Sequence, residues 1–74
     1  MVTEREFLDF AAGLMGIPAD GVTLETAYQS VPQWDSVMHL RLVMELEEAY
    51  GVSIPLEAIG KLRTLRDFWG YVNR

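Results

Sequence analysis

An aspartate and a serine stand side by side in the segment QWDSVMHL, residues 33–40, where a loop is predicted to become a helix. Both residue types are common N-caps, because their side-chain oxygens accept hydrogen bonds from the free N–H groups of a first helical turn. A helix N-terminus also favours phosphate, since those N–H groups and the helix dipole attract negative charge. The residues alone leave two interpretations open: Asp35 or Ser36 caps the helix, or the Ser36 hydroxyl is joined to a phosphate-containing group.

A hydrolytic enzyme is a third interpretation of the same segment. Ser36 and His39 lie three residues apart, so a helix brings their side chains near each other, and a carboxylate would complete a hydrolase constellation. His39, however, falls on the side of the helix predicted to face the core, and so short a chain has little room for an oxyanion pocket. We therefore expect His39 to be partly buried and hydrogen-bonded, and we expect no catalytic residue.

Composition disfavours several other classes of site and partner. With no cysteine, one histidine and no D-x-D-x-D-G loop, the chain lacks the usual ligands for zinc or calcium, so we predict no metal site. Eleven acidic against six basic residues favour basic partners over nucleic acid. No apolar run approaches the ~18 residues of a membrane span, and the N-terminal segment is acidic where a signal peptide would be basic. We expect a cytoplasmic protein that binds neither nucleic acid nor membrane.

Hydrophobic spacing predicts an all-α fold, a small four-helix bundle of three main helices and one short helix. With 74 residues, the chain is expected to form one domain over residues 1–74, too small for a large enzyme cleft. The predicted helices cover residues 4–15, residues 36–50, a short stretch between Pro55 and Gly60, and a last segment that starts at Thr64. Gly70 interrupts the last helix, which predicts close helix packing at that point.

A long connection, residues 17–33, separates the first two predicted helices. It shows no sustained periodicity and contains Pro18, Gly21 and Pro32, which favour turns. Ordered connections of this length are uncommon and are often functional. We expect apolar side chains to pin it to the core, namely Val22, Leu24 and Tyr28.

The second predicted helix has two apolar faces. At about 100° per residue, one arc is wide enough to face the core, and it contains Leu42, Val43, Leu46, Ala49 and Tyr50. A second strip lies nearly opposite, rimmed by charge, and comprises Val37, Leu40 and Met44 with Arg41, Glu47 and Glu48. Such a strip is typical of a docking surface, although in so small a protein it could also lie beneath the short helix or the long connection. We predict that these six residues bind partners.

The chain resembles an acyl carrier protein of the phosphopantetheine-binding superfamily, of the discrete type. The resemblance runs in order along nearly the whole sequence and is strongest over residues 34–55. Its motifs are Asp35-Ser36-Val37, Leu40, Leu42-Val43-Met44, Leu46-Glu47-Glu48, Tyr50-Gly51, Ile54-Pro55, Thr64-Leu65 and Tyr71-Val72. It implies a helical bundle in which Ser36 carries 4′-phosphopantetheine from coenzyme A. The terminal thiol of this arm holds acyl or aminoacyl groups as thioesters.

The resemblance also implies the partners. A phosphopantetheinyl transferase, which uses Mg²⁺ and coenzyme A, would modify Ser36 and engage it with the help of Asp35. A loading enzyme for acyl or aminoacyl groups and a downstream synthase or transferase would then meet the second helix. The carrier itself is expected to be a monomer without enzymatic activity, serving fatty-acid, polyketide, nonribosomal-peptide or related biosynthesis.

Three residues depart from the pattern of the commonest fatty-acid carriers. Trp34 stands where a small residue often precedes the aspartate, and His39 and Arg41 dilute the acidity of the second helix. These departures favour a carrier of a specialised pathway. Trp34 and Trp69 are expected to be packing residues, although Trp34 could also screen the base of the arm. The alternative is a helical interaction module without a prosthetic group, in which Ser36 stays unmodified.

Overall fold

The computed structural model describes residues 2–73, and over these residues the fold is helical. Four α-helices occur there: α1 (Glu4–Met15), α2 (Ser36–Tyr50), α3 (Leu56–Ile59) and α4 (Leu65–Val72). One short 3-10 turn, Ala19–Gly21, lies in the long connection and was not predicted. The all-α prediction with three main helices and one short helix is therefore confirmed.

The two longest helices, α1 and α2, each begin at a side-chain N-cap and end at a glycine. The Thr3 hydroxyl accepts a hydrogen bond from the Glu6 amide at the start of α1, and the Asp35 carboxylate does the same for α2. Gly16 and Gly51 end them in the left-handed region, with φ of 71° and 66°. Glycine adopts this conformation without the steric cost that a Cβ brings, so both helices stop at the predicted positions.

The core lies between α1, α2 and α4, which pack against one another. Each helix presents one apolar face, and the burial of these faces is the main favourable contribution to folding. The largest fully buried side chains are Trp34, Phe7, Phe68, Leu42, Leu46 and Leu65. Trp69 is half-buried and packs on Phe7 with ring centroids 5.3 Å apart, so its prediction as a packing residue is confirmed.

Backbone hydrogen bonds join the long connection to the start of α4 and hold it in place. The free amides of Leu65 and Arg66 donate hydrogen bonds of 3.0 and 2.8 Å to the carbonyls of Thr26 and Leu24. These amides would otherwise lack partners, since a first helical turn has no preceding carbonyls. Of the predicted anchors, Val22 and Leu24 are buried and Tyr28 is half-buried.

An ion pair adds to this seam between the connection and α4. The Arg66 guanidinium donates two hydrogen bonds to the Glu25 carboxylate, of 3.1 and 2.9 Å. This hydrogen bonding lowers the pKa of Glu25. Both side chains are exposed, so solvent screens the pair and the backbone bonds hold the seam.

Two details of the predicted packing are wrong. Ala49, placed on the core arc of the second helix, is exposed, because it lies at the edge of that arc in the last turn. Gly70 was expected at a close helix contact, but a Cβ built there would meet no atom within 4 Å. Tyr50, at the other edge of the arc, is half-buried and packs on Phe10.

Candidate functional site

Ser36 is the first residue of α2 and is exposed to solvent. The turn that precedes it is held by Asp35, whose Oδ1 accepts a 2.9 Å hydrogen bond from the Met38 amide. The Asp35 carbonyl accepts a second bond of 2.9 Å from the His39 amide. The capping role predicted for Asp35 is thereby confirmed, and it leaves the neighbouring hydroxyl outside the cap.

The Ser36 hydroxyl fits a covalently attached phosphate group. Within residues 2–73, no side chain or backbone group forms a hydrogen bond with this hydroxyl. It stands at the N-terminus of a 15-residue helix, where the partial positive charge of the helix favours a phosphodiester. The site thus offers an accessible oxygen and a favourable field.

His39 and Trp34 lie beneath this surface. The Trp34 indole is fully buried, and its Nε1–H donates a 3.0 Å hydrogen bond to Nδ1 of His39. Nε2 of His39 donates to the Ile59 carbonyl at 3.0 Å. The buried, hydrogen-bonded histidine expected from the sequence is confirmed, with 7% of its surface exposed.

This burial corrects two expectations. The Trp34 indole lies in the core and cannot screen an arm on the surface, so it acts as a packing residue. His39 also adds nothing to the exposed charge pattern of α2, because its imidazole is enclosed. Both ring nitrogens are engaged elsewhere, so His39 is not arranged as a base for Ser36.

The outer face of α2 is apolar at its centre. Val37, Leu40 and Met44 are 74%, 52% and 67% exposed, and neither α3 nor the long connection covers them. Arg41 and Glu48 are exposed beside them. The strip therefore lies on the surface, as predicted.

Leu56 at the start of α3 is a further exposed apolar side chain, and the sequence did not predict its exposure. Its side chain is 82% exposed, the largest exposure among the large apolar residues described. A helix of four residues is too short for its spacing to reveal which side is buried. In this part of the sequence, Pro55 predicted the start of a short helix but not which of its side chains are exposed.

Glu47 differs from its neighbour Glu48. The Glu47 side chain is half-buried, and its Oε2 accepts a 2.8 Å hydrogen bond from the Ile54 amide. Glu48 is exposed and forms no hydrogen bond or ion pair with another side chain of residues 2–73. Glu47 therefore links α2 to the segment that leads into α3.

Comparison with known proteins decides the family. The family model that describes the phosphopantetheine attachment site matches residues 5–72. The chain belongs to the phosphopantetheine-binding carrier protein family. It is also 34% identical over 68 residues to an acyl carrier protein of Rubrobacter xylanophilus, an alignment that covers 92% of this chain and 84% of that protein.

Membership of this family establishes the general activity of the chain. Acyl carrier proteins are carriers rather than enzymes, their prosthetic group is phosphopantetheine, and they interact with synthases and transferases. Among the helices of residues 2–73, none is both long and apolar enough to cross a membrane.

Proposed function

We propose that Ser36 carries 4′-phosphopantetheine and that the chain presents acyl or aminoacyl thioesters to successive enzymes. The observation that carries the proposal is the exposed Ser36 hydroxyl, free of hydrogen bonds within residues 2–73, at the capped N-terminus of α2. It lies in a chain that the attachment-site family matches over residues 5–72. Fatty-acid, polyketide, nonribosomal-peptide or related biosynthesis would use such a carrier.

The residues at the start of α2 have separate roles in this proposal. The Ser36 oxygen would form a phosphodiester with the phosphate that carries pantetheine in coenzyme A. The pyrophosphate bond of coenzyme A would break and adenosine 3′,5′-bisphosphate would leave. A phosphopantetheinyl transferase with its Mg²⁺ would assist the transfer and accept the hydroxyl proton. Asp35 holds the first turn through the Met38 amide. It would also help the transferase to engage Ser36. When attached, the arm supplies a thiol that forms thioesters. The free amides of the first turn stabilise its phosphate.

Modification of Ser36 is tested by intact-protein mass. Coenzyme A and a broad-specificity transferase should add one phosphopantetheine to the wild-type protein, and Ser36→Ala should abolish the addition. Ser30→Ala, which changes an exposed serine of the long connection, is the matched control and should leave the addition unchanged. An unchanged mass for well-folded wild-type protein, or continued labelling of Ser36→Ala, would contradict the proposal.

We place the partner surface on the outer face of α2 and on α3. Its apolar part is formed by Val37, Leu40, Met44 and Leu56, and its charged rim by Arg41, Glu47 and Glu48. Basic surfaces of the transferase, of the loading enzyme and of a downstream synthase would be attracted by the acidic rim. Arg41 would select a partner with a local acidic group.

The chain is proposed to act as a single carrier domain, as a monomer in the cytoplasm. Three of the exposed apolar side chains, Val37, Leu40 and Met44, lie on the outer face of the helix that begins at Ser36, which suits transient contact with several enzymes. Sedimentation equilibrium of the modified protein tests the oligomeric state. A stable dimer at micromolar concentration would contradict this part of the proposal.

A further inference from the structure

The imidazole of His39 joins two separate segments of the chain. On one side it accepts a 3.0 Å hydrogen bond from the indole of Trp34, two residues before the attachment serine. On the other it donates at 3.0 Å to the carbonyl of Ile59, the last residue of α3. One buried side chain thus links the entry of α2 to the end of α3.

These partners determine the chemical form of the imidazole. An indole N–H can only donate, so Nδ1 of His39 must be an unprotonated acceptor. A carbonyl oxygen can only accept, so Nε2 must carry the hydrogen. The bridge therefore requires the neutral Nε2–H tautomer and makes use of both nitrogens.

Aromatic rings hold this imidazole in place. The ring centroids of Tyr28, Phe68 and Trp34 lie 4.7, 5.4 and 5.9 Å from that of His39. They come from the long connection, from α4 and from the segment before α2, so three parts of the fold surround one ring. Such close packing leaves few alternative rotamers.

The short helix α3 depends on these links more than the other helices do. None of its residues, Leu56–Ile59, is fully buried, and only Ala58 and Ile59 pack partly buried against the core. Its hydrogen bonds to side chains of α2 are the one from His39 to Ile59 and, just before α3, the one from the Ile54 amide to Glu47. Leu56, part of the proposed partner surface, moves with α3.

We propose that His39 is a positioning residue for attachment of the prosthetic arm. By bridging Trp34 and Ile59, it sets the orientation of Ser36 relative to the partner surface on α2 and α3. A transferase docked on that surface then meets the hydroxyl in line with coenzyme A. The inference rests on the proposed function, because its effect is on the transfer to Ser36.

The kinetics of phosphopantetheine transfer test the inference with variants of His39. His39→Leu removes both hydrogen bonds and keeps an apolar side chain. We expect kcat to fall at least about tenfold and KM to rise by a smaller factor, because the exposed strip on α2 still docks while the alignment of Ser36 with α3 is lost. His39→Asn keeps an acceptor for Trp34 near the position of Nδ1 but loses the donor to Ile59, so it should recover only part of kcat. Trp34→Phe removes the donor and should lower kcat as His39→Leu does.

A control separates this role from a general loss of stability. Met15→Ala destabilises the core from α1, where Met15 is buried and takes no part in the bridge. It should leave kcat unchanged at a temperature where the protein is folded. The imidazole ¹⁵N shifts give an independent readout, since His39 is the only histidine and should show the Nε2–H tautomer.

The outcomes distinguish the two proposals. Wild-type protein that accepts no arm would overturn the proposed function and this inference with it. Modified wild type, together with a folded His39→Leu variant that keeps wild-type kcat, would overturn the inference alone. If His39→Leu does not fold, Trp34→Phe decides in the same way. An Nδ1–H tautomer would also overturn it.

Discussion

At the scale of single residues, the two adjacent glutamates near the end of α2 show how neighbours of one type acquire different roles. Glu47 accepts a hydrogen bond from the Ile54 amide, whereas Glu48 extends into solvent. The sequence predicted both on the charged rim of the strip. Helical spacing cannot reveal that the backbone at Ile54, in the segment after α2, contacts Glu47. Each role has its own consequence for stability.

Replacement of each glutamate by alanine should separate these roles. Glu47→Ala leaves the Ile54 amide without its acceptor and should lower the free energy of unfolding by about 1–3 kcal/mol. Glu48→Ala should change it by less than about 0.5 kcal/mol, and Glu47→Gln, which keeps an acceptor oxygen, should lose less than Glu47→Ala. Urea denaturation measures all three, and equal effects of the two alanine variants would contradict the assignment.

Two leucines provide the matching contrast for apolar side chains. Leu46 is fully buried, so Leu46→Ala should cost about 2–5 kcal/mol of unfolding free energy through lost burial and a cavity. Leu56→Ala should cost less than about 0.5 kcal/mol, because that side chain already contacts water. Denaturant midpoints test both. A small loss for Leu46→Ala would mean that the two faces of α2 are reversed.

At the scale of elements, the helices are defined by their ends and the long connection by its partner. The Asp67 carboxylate accepts hydrogen bonds from the amides of Arg63 and Thr64, of 2.8 and 3.1 Å, at the start of α4. The carbonyls of the connection complete the same helix start from the other side. The connection and α4 therefore form one structural unit, although about forty residues of chain separate their contacts.

Gly70 is a site where α4 can be stabilised. A Cβ at this position would meet no atom within 4 Å, and φ is not in the left-handed region. Gly70→Ala should therefore raise the free energy of unfolding by up to about 1 kcal/mol, because alanine loses less backbone entropy in a helix. Gly51→Ala, whose φ is 66°, should instead destabilise. Thermal unfolding checks both, and a destabilising Gly70→Ala would restore the idea of a close helix contact.

At the scale of the whole molecule, the exposed charge and apolar surface are expected to act in the proposed encounter with partners rather than in folding. The net charge is −5, and acidic residues rim the exposed strip on α2. Opposite charge accelerates association and is screened by salt, whereas apolar contact controls dissociation. Substitution of a charged residue should therefore change mainly the association rate, and substitution of an apolar residue mainly the dissociation rate.

Association kinetics with a transferase or loading enzyme test this arrangement. Glu48→Lys should slow association, most strongly at low salt, and leave stability within about 1 kcal/mol. Met44→Ala should speed dissociation with little dependence on salt. Asp20→Lys changes net charge by the same amount on the exposed long connection and should have a smaller effect. If Asp20→Lys slows association more than Glu48→Lys does, the connection is the electrostatic docking face.

Local chemistry was sufficient to predict much of this protein from its sequence. The ends of α1 and α2, the Asp35 cap and the two glycine stops depend on neighbours within a few residues, so the sequence contains the whole cause. The core face formed by Leu42, Val43 and Leu46 follows from helical periodicity alone. The family followed from the order of motifs along the chain.

Only the tertiary structure decided which distant groups meet. The bridge from Trp34 through His39 to Ile59, the acceptor role of Glu47 and the exposure of Leu56 all depend on where α3 comes to lie. A hydrogen bond between residues twenty positions apart leaves no periodic trace in a sequence, because its formation depends on the packing of the intervening chain. Helical spacing was enough to predict that His39 is buried in α2. Its two hydrogen-bond partners, and the tautomer they require, became known only from the fold.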